Sequence, residues 1–195
     1  MNAFKIILTL ILSGFILNTF SDSLKVYIEY EYLPKTSDGK ITIKLYKDGD
    51  KYKLWRKLSD SPDETAVKST YIDINANSVV RIIEKDGVKK GMKSTWDNSY
   101  SVLVLEYLIL FRGLLEGGSF EYFTKETGSE VILGKKCIVY ESGFALIGAT
   151  TKYYLWNDIM LKADAPDYTI SAVQINETPM FSDDEFTVPP DVEWK

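Results

Sequence analysis

From Leu24 to Tyr32 the chain alternates: Leu24, Val26, Ile28, Tyr30 and Tyr32 are apolar or aromatic, while three of the four residues between them, Lys25, Glu29 and Glu31, are charged. Such a segment buries one side of a β-strand and leaves the other wet. The pattern recurs. Pro34 to Gly39 interrupts it, Ile41, Ile43 and Leu45 resume it, and Asp48-Gly49-Asp50 is a turn signal before a third strand over residues 51–58. After a polar loop over residues 59–64, strands are predicted over 67–74 and 78–84 across Asn75-Ala76-Asn77. A sixth follows Asp86-Gly87, over 88–92. Hairpin-length connections between successive strands describe an antiparallel meander. Later strands are predicted over 119–124, 129–133, 135–141, 150–156, 159–163 and 168–177. Lys125 to Gly128, Gly134, Asn157-Asp158 and Ala165 to Asp167 serve as turns between them. Ser182-Asp183-Asp184-Glu185 has the form of a capping box on one short turn, and Phe186 and Val188 pack before Pro189-Pro190.

Between the two sets of strands the period changes. Residues 98–116 are leucine-rich, with no proline and no glycine before Gly113, and Gly117-Gly118 follows. The reading is one long apolar helix, capped by Asn98 or Ser99 and ended by the glycine pair. Val104, Leu108, Phe111 and Leu115 fall on its broad apolar face. Val102, Leu105 and Ile109 lie on the opposite side with Glu106, Arg112 and Glu116. The helix is expected either to plug a sheet or to cover a lipid-sized cavity. Both roles need the same residues, and burial alone accounts for the plug. The fold class expected is α+β, mainly β: a bent antiparallel sheet of ten or more strands with this helix in its concavity.

The chain opens with the layout of a secretory signal peptide: Lys5 in a short n-region, an apolar run from Ile6 to Phe20, and small residues at Thr19 and Ser21. The run is short for a membrane span. The expectation is export to the periplasm or beyond, with cleavage after Ser21 and residues 22–195 as one domain. No cysteine precedes Cys137, so a lipid-modified cysteine at the mature N-terminus is not expected, and the protein is not read as a lipoprotein.

Charge and residue types narrow the chemistry. The net charge is −5, with no basic block, which argues against nucleic acid and against simple docking on anionic lipid. The chain has no histidine, which removes the usual general base, the histidine-activated nucleophiles and the commonest transition-metal ligand. Cys137, followed by Ile138, Val139 and Tyr140, reads as a buried strand thiol. Asp183, Asp184, Glu185, Asp191 and Glu193 lack the spacing of a calcium loop, so no metal or cofactor is expected. Tyr27, Tyr30, Tyr32, Tyr46 and Tyr52 read as cross-strand packing, while Trp55 sits on the lysine-bearing side of its strand. Asn176-Glu177-Thr178 is a sequon in form only.

Three motifs then bear on family. Gly134 to Tyr140 has the form G-x-x-C-x-x-Y. Lys152 to Lys162 reads K-x-x-x-W-x-x-I-x-L-K. Phe186 to Val192 reads F-x-x-P-x-D-V. In this order they resemble the exported bacterial DUF4412 family and its relatives in the LolA/LolB/LppX-like superfamily. Lys44 to Tyr52 and Lys90 to Lys93 agree more loosely. The resemblance implies a half-barrel of antiparallel strands plugged on its concave face, which in the carriers of the superfamily holds acyl chains. The carriers' lid-latching arginine has no counterpart by motif in Arg56, Arg81 or Arg112. Together these readings predict an exported, non-enzymatic protein that holds a lipid or acyl chain between sheet and helix, lined by Val104, Leu108, Phe111 and Leu115. The alternative is a packed scaffold that meets another envelope protein through Val102, Leu105 and Ile109.

Overall fold

The computed structural model describes residues 24–36, 39–57, 66–95, 124–144, 149–157 and 159–195. These residues form one twelve-stranded sheet. The strands are β1 (Lys25–Pro34), β2 (Ile41–Asp48), β3 (Lys51–Lys57), β4 (Val67–Asp73), β5 (Ser78–Lys85), β6 (Val88–Ser94), β7 (Thr124–Ile132), β8 (Lys135–Phe144), β9 (Ala149–Trp156), β10 (Ile159–Asp164), β11 (Tyr168–Asn176) and β12 (Glu193–Trp194). Their order is β12-β6-β5-β4-β3-β2-β1-β11-β10-β9-β8-β7. Two meanders, β1 to β6 and β7 to β11, are therefore joined where β1 pairs antiparallel with β11.

The expectation of an α+β fold built on a long helix is corrected. The described residues contain strands and no helix, so the architecture they define is all-β. Residues 98–116, on which the helix was read, lie outside the described residues. A run so dense in leucine matches a helical face by composition as readily as by spacing, which makes periodicity a weak guide there. Residues 1–21 also lie outside the described residues.

A second correction concerns β7. The residue types of Lys125 to Gly128 predict a turn between two strands, yet β7 runs through it. The register against β8 shifts between Glu126 and Gly128, where Gly128 takes φ 151°. The extra residue of this bulge, Thr127, sends its hydroxyl toward the Val139 carbonyl at 3.4 Å. Glycine in a polar stretch signals a bulge and a turn alike. The tight hairpins were legible. Asp86-Gly87 (φ 53° and 77°) and Leu133-Gly134 (φ 48° and 77°) put both central residues in the left-handed region, as a two-residue turn matched to strand twist requires.

Alternation and register assign every side chain of β1 to β6 to one of two faces. Val26, Ile28, Tyr30, Ile43, Leu45, Tyr52, Leu54, Ile72 and Val79 share one, here the core face, and join Met160, Ala163, Ile170 and Ala172 in one buried cluster. Burial is deepest at the centre of the sheet, where Val26, Ile28, Tyr30 and Leu45 are fully enclosed. A twisted sheet this wide curls rather than staying flat. Tyr30 ties two layers of the pairing together: its hydroxyl donates to the Met160 carbonyl of β10 at 2.9 Å, reaching across β11.

On the back face the chain after β11 forms a strap. Phe181 packs on Tyr46 and Phe186, Lys53 pairs with Glu185 at 2.6 Å, and Lys89 pairs with Asp191 at 2.7 Å. Val192 closes a small second cluster with Tyr71, Val80 and Ile82. The strap ends as β12, which pairs parallel with β6 and is fixed by Lys195 N–H donating to the Gly91 carbonyl.

Candidate functional site

The sequence-predicted ligand-lining residues Val104, Leu108, Phe111 and Leu115 lie outside the described residues. So do the predicted partner-surface residues Val102, Leu105 and Ile109. The described residues place a different set of side chains together, on the core face toward one edge of the sheet. There the buried centre gives way to exposed apolar groups: Ile83, Val88 and Met92 are 46%, 43% and 50% exposed. All three share the face of Val79 and Leu54 by register. Val131 and Ile138, exposed on the same face of the β7–β8 hairpin, mark its far edge.

The same face excludes carboxylates, although lysines lie on both faces. Across β1 to β6 it carries Lys47, Arg56, Lys68, Arg81, Lys85 and Lys90 and no carboxylate, while the back face of these strands carries Glu29, Glu31, Asp48, Asp73 and Glu84. Lys47 donates to the Gly49 carbonyl and lies over the Tyr52 ring. Arg81, opposite Thr70 on β4 and Met92 on β6, is different: its Nε and Nη2 are buried and have no hydrogen-bond partner among the described residues. Sequence reasoning passed over Arg81 because β5 is apolar on both parities, with Val79 and Ile83 on one side and Val80 and Ile82 on the other. Alternation alone could not say which side faced the core.

Other candidates resolve into structure. Cys137 is fully buried on β8, and burial pushes its thiol up, as a packing residue rather than a reactive one requires. The acidic residues near the C-terminus hold the strap: Asp184 is lowered chiefly by the Ser182 side chain, Asp191 by Lys89, and Glu185 pairs with Lys53. Trp55 lies on the back face under the Lys44 ammonium, 5.2 Å from the ring centre. The tyrosines pack across strands, Tyr27 against Tyr46 and Tyr32 against Tyr168. A depression at the β4–β5 turn, lined by Ala76, Asn77, Ser78, Lys93, Ser94 and Thr95, is open to solvent.

These groups set a pH profile. Burial raises the phenols of Tyr30 and Tyr52 and pushes Tyr168 up to about 12. The fold favours the neutral phenol, so this stabilisation is complete below the unfolded value near ~10 and is lost as pH climbs through the folded values. Asp164, held down by Lys35, and Asp184 and Asp191 act oppositely. Their contribution is present above ~4 and lost as pH falls below it. With no histidine in the chain, urea midpoints are expected to stay level from about pH 5 to 9, then fall above ~10. A step between pH 6 and 8 would contradict this.

No protein-family model matches the chain, and no curated protein matches it significantly. Solved structures do. PNGF-II aligns with TM-score 0.54 at 12% identity, over 89% of this chain and 32% of that one. The chain thus spans about a third of PNGF-II, and the likeness concerns the fold alone. The Pseudomonas aeruginosa MucA/MucB complex aligns with TM-score 0.42 at 12% identity, over 86% of this chain and 56% of that one. A DUF1329 family protein from Desulfovibrio piger aligns with TM-score 0.37 at 10% identity, over 92% and 94%. Both lie below the level at which a common fold follows. Membership of the DUF4412 family is not shown.

Proposed function

We propose that this chain is an exported, non-enzymatic binding protein of LolA-like half-barrel type, whose core face holds a hydrophobic ligand, a lipid or acyl chain. The observation that carries the reading is the group of exposed apolar side chains Ile83, Val88 and Met92 on the face that, toward the centre of the sheet, holds the buried cluster. Aliphatic side chains left in water beside a buried cluster are the surface an acyl chain covers without desolvating polar groups. Export rests on residues 1–21, with cleavage after Ser21 and one domain following. The motifs at 134–140, 152–162 and 186–192 support the half-barrel.

Native mass spectrometry of the protein purified from its own envelope, followed by organic extraction, tests this. A stoichiometric lipid-sized adduct is expected, reduced at least about tenfold by Ile83→Asp with Met92→Asp, since a charge on an apolar contact surface is strongly unfavourable. A bare mass that also ignores added fatty acids and phospholipids would sink the reading. An envelope scaffold would then stand in its place, engaging a protein partner along β7, the last strand of the described sheet, whose Val131 is 66% exposed.

A further inference from the structure

We infer that the ligand is anionic, and that the Arg81 guanidinium binds its carboxylate or phosphate head while the acyl chain runs over Met92, Ile83 and Val88. The inference rests on the reading that the core face holds a hydrophobic ligand, and it adds the polar half of that ligand. Arginine is a permanent cation with a planar fork of donors, and a buried charge without a partner is strongly unfavourable. Nε and Nη2 of Arg81 are buried, and neither has a hydrogen-bond partner among the described residues. Native structures rarely leave such groups orphaned, and an external ligand is one of the few explanations.

The counter-ion does not come from the neighbouring strands. The chain has 28 acidic residues, yet the core face of β1 to β6 carries none, while the other face of the same strands carries five: Glu29, Glu31, Asp48, Asp73 and Glu84. Lys68, diagonal to Arg81, adds a second positive charge to the same face. The apolar surface begins one residue away. Met92 is the direct cross-strand partner of Arg81, and Ile83 follows it on the same side of β5. A cation with an orphaned fork at the rim of an exposed aliphatic row has the polarity of an ionised amphiphile: bidentate recognition of two anionic oxygens at one end and apolar contact along the rest.

The test displaces the uncharged fluorescent probe N-phenyl-1-naphthylamine from the whole protein at pH 8 with dodecanoate, dodecyl phosphate and dodecanol, which share a chain and differ in the head. One or both anions are expected to displace it at about tenfold lower concentration than the alcohol, as one charge-assisted bidentate contact implies. Whichever anion gains more names the head. Arg81→Gln should remove that advantage and leave dodecanol unchanged, and Arg81→Lys should keep part of it, because the charge remains without the fork. Equal displacement by all three in the wild type, or an advantage that survives Arg81→Gln, would overturn the anionic head while leaving a hydrophobic site in place. Failure of the probe and all three ligands to bind the wild type would overturn the site itself. The wild-type comparison stands even if the glutamine variant does not fold.

Discussion

Replacing Gly91 with valine is expected to release the C-terminal strap from the sheet and lower stability by about 1–3 kcal/mol, the usual range for forcing extra methyls into a packed site. Gly91 sits on the back face of β6 directly under the end of the strap. A Cβ built there would stand 2.4 Å from Val192 Cγ1 and 2.9 Å from the Trp194 ring. Neither neighbour yields easily. Val192 is buried in the cluster of Tyr71, Val80 and Ile82, and Trp194 is held by the Lys93 ammonium 4.1 Å from its ring centre. The strap must therefore lift, and with it go the β12–β6 pairing and the bond from Lys195 N–H to the Gly91 carbonyl. Limited proteolysis should then cut between residues 177 and 195 at a rate the wild type does not show, with a Tm lower by roughly 2–4 °C per kcal/mol. Val192→Ala in the Gly91→Ala background should recover part of the loss, because the two changes act on one contact. Unchanged proteolysis and Tm in Gly91→Val would mean that the strap is not seated in this notch.

Arg81→Met is expected to have the opposite sign in the absence of ligand. Methionine keeps most of the apolar stem and removes a half-buried guanidinium, two of whose nitrogens are buried without a partner among the described residues. Removing a half-buried charge with unsatisfied donors in favour of a hydrophobe of similar reach stabilises by about 1 kcal/mol. The urea midpoint of the unliganded protein should rise, while the preference for an anionic over a neutral amphiphile disappears. Gain of stability with loss of a ligand is the mark of a group retained for binding rather than for folding. A fall in stability would show that Arg81 makes a contact the fold depends on.

Much of the architecture was legible in the residues. Ten of the strands in the described segments fell where alternation and turn chemistry put them, and Asp86-Gly87 and Gly134 marked hairpins that the backbone dihedrals bear out. These signals are local: a strand repeats every two residues, and a two-residue turn needs particular side chains at the turn itself. β7 was split by mistake because glycine at position 128 serves a bulge as well as a turn. The two residues of β12 carried no signal, being too few for any period.

The long-range decisions belonged to the tertiary structure. Which strand lies beside β1 depends on β11 arriving from more than a hundred residues away, and no local pattern encodes that partner. The parallel return of β12 onto β6 depends on the strap crossing the back face and on a glycine leaving room beneath it. The face to which Arg81 belongs was hidden for a related reason: β5 is apolar on both sides, and only the accumulated register from β1 through β5 assigns Val79, Arg81 and Ile83 to the core side. The chain by itself determined where strands form, because side-chain period and turn preference act between near neighbours. Pairing order and the confinement of carboxylates to one face were decided only when distant strands met, because hydrogen-bond register is a property of the pair and not of either strand alone.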